Sequence, residues 1–163
     1  MESDKNWHDI VVFALNTGLR KGEIFNLNFS NINMNERIIF IIDSKSNKNR
    51  IIPMNDPVYD ILCKKINKSN INENIFYGKN KRSFINAVNK AGLNNGITDR
   101  RQKVVFHTLR HTFASWLVQD DVPLAVVSKL LGHSTINLTM RYTHLAPTQY
   151  RQAVNLLTMH LKA

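Results

Sequence analysis

Apolar residues recur at helical spacing along most of this 163-residue chain and bunch into two short β-branched runs only. Trp7, Ile10, Val11, Ala14 and Leu15 share one helical face, and Gly18 is a stop signal. A short helix is expected from Arg20 to Leu27. The runs Ile38–Ile42 and Arg50–Met54, joined by polar Ser44–Asn49, predict a hairpin with a basic turn. Asn55-Asp56-Pro57 reads as a helix start, with a capping side chain and a proline in the first turn, and Val58–Ile66 continues the helix.

Ile71–Gly78 reads as a short extended piece and a loop. Ser83–Ala91 predicts a helix closed by Gly92, and Asn94–Lys103 a polar loop carrying Arg100, Arg101 and Lys103. A helix over Thr108–Val118 is apolar at Leu109, Phe113, Ala114, Trp116 and Leu117. Pro123–Leu131 is another, ending at Gly132, and Ser134 is positioned to cap a short helix toward Tyr142. Pro147 opens a last amphipathic helix with Val154, Leu157 and Leu161 on one stripe. The fold class is therefore mainly α with a small antiparallel β-sheet (α+β), three-stranded at most. No repeat and no linker divides the chain, so 1–163 is expected to be one domain.

Charge narrows the class of partner. Lys and Arg number 22 against 12 acidic residues, a formal net charge of +10, which suits a polyanion or serves solubility alone. The single cysteine, Cys63, excludes an internal disulfide and fits a reducing compartment. No apolar run is long enough to span a bilayer, so no membrane partner is expected, and the expected place is cytoplasmic, at the nucleoid.

The chemistry concentrates in His107-Thr-Leu-Arg110-His111, Leu131-Gly-His133 and Arg141-Tyr142. These are groups that attack a phosphodiester without a metal: a tyrosine nucleophile, a planar guanidinium that fits phosphate, and imidazoles that donate protons near neutrality. His107 and Arg110, three apart at a helix start, project from neighbouring positions, although an isolated pair of this kind is usually a solvated face. His107 and His111, four apart, also invite a zinc reading. That pattern needs Glu after the first His, and position 108 is Thr, so no metal is expected and His111 is read as buried or supporting.

The order and spacing of these residues resemble the tyrosine recombinase (phage integrase) family. Thr17-Gly18-Leu19-Arg20-Lys21-Gly22-Glu23-Ile24 looks like the segment carrying that family's first active-site arginine, and Asp43–Pro53 like its lysine-bearing hairpin. The resemblance implies the tyrosine recombinase catalytic-domain fold and site-specific DNA recombination through a 3′-phosphotyrosyl intermediate. By the same resemblance Arg20, Arg110, His107 and His133 hold the phosphate, Lys45 is the general acid and Tyr142 the nucleophile. Glu23 supports Arg20 and His111 supports the site. Lys48 rivals Lys45 in the same turn. Arg20–Glu23 could equally be a surface ion pair, His133 a partner of a helix dipole, and Tyr142 a core residue. Tyr59, Tyr77, Tyr150 and His144 match no family position.

Further implications concern partners. The family acts on double-stranded DNA attachment sites as a homo-tetramer in synapsis, with accessory DNA-bending or excision factors, and needs no cofactor. Its last helix packs on a neighbour, a part open to Val154, Leu157 and Leu161. An N-terminal core-binding domain has no room ahead of Arg20, so the chain is expected to be a catalytic domain without it. Two other readings remain: DNA relaxation like a type IB topoisomerase, and a catalytically silent DNA-binding module. Base contacts are open to the Asn94–Lys103 loop or the exposed face near Ser83–Lys90.

Overall fold

The computed structural model describes residues 2–42, 49–66, 74–76 and 81–145. Seven α-helices are assigned among them: α1 (Glu2–Thr17), α2 (Lys21–Phe25), α3 (Asp56–Ile66), α4 (Lys81–Lys90), α5 (Phe106–Gln119), α6 (Leu124–Leu131) and α7 (Asn137–Met140). Three strands, β1 (Ile32–Asn33), β2 (Ile38–Ile41) and β3 (Arg50–Pro53), form one antiparallel sheet in the order β1-β2-β3. Helix with a small three-stranded sheet is the expected class. The chain divides into two compact units, Met1–Phe113 and Ala114–Ala163, with α5 running from the first into the second.

In the N-terminal unit α1 is longer than its apolar pattern predicts and turns a different edge inward. Trp7, Ile10, Phe13, Ala14 and Thr17 are buried, while Val11 and Leu15 are only half-buried. Phe13 is the reason: its ring stacks against Phe76 at 4.8 Å between centroids and centres the buried stripe on itself. A second aromatic cluster joins Trp7 to Phe84 at 5.6 Å, Phe84 to Phe106 at 5.3 Å and Phe106 to Phe25 at 6.0 Å. Such pairs add about 0.5–1.5 kcal/mol each beyond the apolar area they bury. The cluster seats α2 and α4 on the first turn of α5.

The sheet has one buried and one wet face. Ile39, Ile41 and Ile52 point inward, and Phe40 and Ile51 outward. Ile41 pairs with Arg50, so the register sends Arg50 to the same side as Ile52. Asn55 caps α3 as expected, its side chain accepting the Val58 N–H at 3.3 Å. Within 71–78 only Asn74–Phe76 lies in the described residues; Asn74 bridges Asn28, and the Ile75 N–H bonds to the Leu27 carbonyl at 2.8 Å. The 94–103 loop is tied at its ends by Asn94, which accepts the Val104 N–H at 2.7 Å and donates to the Val104 carbonyl at 3.2 Å.

In the C-terminal unit Ala114, Val118, Val127 and Leu131 are buried together with Thr139 and Tyr142. Trp116, expected on the apolar face of α5, is instead 51 % exposed. The buried stripe of this helix runs through Leu109, Arg110, Phe113, Ala114 and Val118, and at 100° per residue Trp116 falls just beyond its edge. Ser134 does not cap α7, which begins at Asn137, preceded by Ile136 with no side-chain cap. Lys45, Lys48, Tyr77, Tyr150 and the Val154, Leu157, Leu161 stripe lie outside the described residues. Among the described residues no helix is long and apolar enough to cross a membrane.

Candidate active site

Arg20 directly precedes α2 in an extended conformation (φ −68°, ψ 153°), two residues after Gly18, which leaves α1 in the left-handed region. Glu23, in the first turn of α2, reaches back to it. One carboxylate oxygen accepts the Arg20 N–H at 2.6 Å and the other its guanidinium at 2.9 Å. Glu23 thus bonds the arginine it was expected to support, and Arg20 is one of two arginines it holds. Arg50 grips the same carboxylate with both terminal nitrogens, at 2.9 and 2.8 Å. Four donors occupy one carboxylate, its full accepting capacity.

Arg50 is a residue that the sequence reading passed over. A usable signal was present, because the alternation Arg50-Ile51-Ile52 places Arg50 on the apolar face of the strand. An arginine there must find an acid. Its side chain is only 9 % exposed, and Glu23, 27 residues away in sequence, is the acid it meets.

The Glu23 network carries a pH signature. Burial pushes the pKa of its carboxyl up, but the bonds and charges of Arg50 and Arg20 outweigh burial and hold it below the ordinary carboxylate value of 4.5. A depressed folded value means stability that is complete above the unfolded value and lost as pH falls through the folded one. Glu23→Gln removes this term and leaves two guanidiniums facing a neutral amide, at a cost of about 3 kcal/mol at pH 7. Urea midpoints measured from pH 7 down to pH 3 are expected to converge for the two proteins as the pH drops. Parallel curves would show that the carboxylate contributes nothing.

Arg110 lies on the same helix as His107, less than a turn further on, and is buried to 4 % exposure. Its Nη1 donates to the Gly18 carbonyl at 2.8 Å across 92 residues of sequence. This bond fastens Arg110 to the backbone two residues ahead of Arg20. His107 stands exposed in the first turn of α5. The His111 ring meets it edge-on, with centroids 4.6 Å apart, and is half-buried rather than buried. Thr108 accepts the Val105 N–H at 3.0 Å and so helps to close the helix start. Among the described residues no group of three His, Cys, Asp or Glu side chains gathers as a metal site would.

The C-terminal unit places His133 and Tyr142. Helix α6 ends with Gly132 in the left-handed region (φ 64°, ψ 42°), and the His133 N–H returns to the Ser128 carbonyl at 3.1 Å. This is the closing bond of a Schellman cap, which sets the direction in which His133 leaves the helix. The His133 Nδ1 lies 2.8 Å from the Thr139 hydroxyl. Tyr142, expected on a short helix, comes two residues after α7 ends, in the turn before the 3-10 segment Thr143–Leu145, and is 6 % exposed.

Comparison with known proteins identifies the family. Residues 3–149 match the phage integrase family. The integrase of Salmonella phage P22 is 36% identical over 156 residues, covering 85% of this chain and 39% of its own length. The integrase of Haemophilus phage HP1 is 36% identical over 145 residues, covering 89% of this chain and 39% of that protein. The solved catalytic domain of the HP1 integrase superposes with a TM-score of 0.70 at 33% identity, over 90% of this chain and 79% of that domain. The Tn1549 transposon integrase, solved in complex with circular intermediate DNA, shares the fold with a TM-score of 0.75 at 21% identity, over 94% of this chain and 60% of that one. The chain spans about two fifths of the length of the two phage integrases that it matches. A buried arginine fastened beside a second one, a capped histidine and a tyrosine in the expected order thus accompany a match over nearly the whole chain, and the chain belongs to the phage integrase family.

Proposed function

We propose that this chain is the catalytic part of a site-specific recombinase that cuts and rejoins duplex DNA. The bond from Arg110 to the Gly18 carbonyl supports the reading, because it ties the Arg110 guanidinium to the stretch of backbone that carries Arg20, 90 residues away in sequence. Fixed cations facing one site stabilise the extra negative charge of a pentacoordinate phosphorus. Arg20 and Arg110, with His107 and His133, hold the non-bridging oxygens. Glu23, kept ionised by Arg50, keeps the Arg20 fork in one orientation.

The Tyr142 oxygen attacks phosphorus and gives its phenolic proton to solvent. The bond to the deoxyribose 5′ oxygen breaks, and that oxygen takes a proton from Lys45, with Lys48 the alternative donor. The products are a 3′-phosphotyrosyl link and a 5′ hydroxyl. A 5′ hydroxyl from a partner strand then attacks the link, releases Tyr142 and reseals the backbone. The net charge of +10 draws the chain to duplex attachment sites, and exposed Arg100 and Lys103 extend that attraction along the 94–103 loop. The working assembly is a homo-tetramer at paired sites, joined through the C-terminal segment and assisted by DNA-bending or excision factors, at the nucleoid in the cytoplasm.

A duplex nicked next to the scissile step tests this, because the short strand diffuses away and traps the covalent product. With wild-type protein, without metal or ATP, a protease-sensitive DNA adduct is expected. Added strand with a free 5′ hydroxyl should reseal onto it. Relaxation of supercoiled plasmid without any partner site would favour the topoisomerase reading, and binding without an adduct the silent module.

A further inference from the structure

Thr139 takes no direct part in the reaction above, yet it is fully buried (0 % exposed) beside a residue that does. Its hydroxyl lies 2.8 Å from His133 Nδ1. Which atom donates follows from counting protons. A threonine hydroxyl has one proton, and a buried one without an acceptor bears the whole cost of leaving water. Thr17 and Thr112 meet that need by donating to the carbonyl four residues back, at 2.7 and 3.0 Å. Thr139, the third residue of α7, makes no such bond, and among the described residues His133 Nδ1 is its side chain's partner.

Were Nδ1 protonated, it would donate to the hydroxyl oxygen, and the hydroxyl proton would be left without an acceptor among the described residues. The hydroxyl therefore donates and Nδ1 accepts. A neutral imidazole whose Nδ1 accepts carries its proton on Nε2.

We infer that Thr139 is a positioning residue that fixes His133 as its Nε2–H tautomer and thereby aims a hydrogen-bond donor, rather than an acceptor, at the phosphate. The inference rests on the reading of His133 as a phosphate ligand. An acceptor facing a non-bridging oxygen would repel it, so the tautomer decides whether His133 helps or hinders. The backbone supplies the rest of the restraint. The cap at Gly132 sets where His133 leaves α6, and the Thr139 carbonyl accepts the Tyr142 N–H at 3.0 Å. One residue thus holds the imidazole through its side chain and the turn to Tyr142 through its main chain.

The test uses the full chain labelled with ¹⁵N, in which ring nitrogen shifts and their couplings to carbon-bound protons identify the tautomer. Wild type is expected to show His133 protonated at Nε2 and bare at Nδ1. Thr139→Val keeps the shape and removes the hydroxyl. It should mix the two tautomers and slow adduct formation about 10- to 100-fold, the usual scale for losing a group that orients a ligand-bearing histidine. Thr139→Ser should restore both signature and rate. A wild-type ring protonated at Nδ1, or a Thr139→Val ring with an unchanged tautomer, would overturn the inference. His133→Ala that cleaves at the wild-type rate would instead sink the phosphate reading beneath it, whatever the ring signature shows.

Discussion

Tyr142→Phe is expected to lower the rate of strand cleavage by about 10⁴- to 10⁶-fold, the scale on which losing a covalent nucleophile silences an enzyme. The substitution deletes one oxygen. The ring it leaves occupies the same buried place, 6 % exposed, so the unit around it keeps its packing. Loss of whatever hydrogen bond that oxygen makes costs about 1 kcal/mol of stability. DNA affinity should hardly change, because phosphate contacts by basic residues dominate it. Single-turnover cleavage of a nicked duplex, run beside a gel-shift titration, separates the two effects. Cleavage that survives with an unchanged rate constant would transfer the nucleophile to another group. Cleavage and binding lost together would point to a folding defect, which a urea titration detects.

Gly18→Ala is expected to destabilise the protein by roughly 2–5 kcal/mol and to weaken catalysis in whatever remains folded. Two costs add. Gly18 lies at φ +62°, where a side chain costs about 1–2 kcal/mol. A Cβ there would also come within 2.4 Å of Phe113 Cδ1 and 2.7 Å of its Cε1. Phe113 is a buried core residue on α5, and such overpacking adds about 1–3 kcal/mol. The carbonyl of this same glycine receives Arg110, so any shift that relieves the clash moves the anchor of that guanidinium. Gly96→Ala is the control: its φ is +72°, with nothing within 4 Å of the added carbon. Urea midpoints should fall for both variants and much further for Gly18→Ala, whose cleavage rate should drop more than its DNA affinity. Equal midpoints would mean that Phe113 yields freely and that the close approach has no cost.

What could be read in the sequence was local or carried by the family motifs. The helix-stop glycines at 18, 92 and 132, the cap at Asn55 and the hairpin strands follow from neighbours within a few residues, and the structure has each of them. The Arg20–Glu23 bond was legible for the same reason, its partners being three residues apart. Arg50 was not, because its partner lies 27 residues distant and no helical or strand period links the two. The Arg110–Gly18 bond spans 92 residues and is visible only in three dimensions. Trp116 misled because apolar character was read as burial, whereas the stripe on α5 is centred near Arg110, a charged residue that no apolar count includes. Thr139 was invisible as well, since its role depends on the fold bringing a hydroxyl against one particular ring nitrogen.

The central claim is covalent: Tyr142 becomes joined to the 3′ phosphate of a cut strand. The direct measurement is mass spectrometry of peptides from the adduct trapped on a nicked duplex, with end-labelling of the released strand. The account predicts a peptide containing Tyr142 that bears a nucleotide through its 3′ phosphate, and a released strand that accepts phosphate at its 5′ end without prior phosphatase. A nucleotide found on Tyr59, Tyr77 or Tyr150, or attached through a 5′ phosphate, would contradict it.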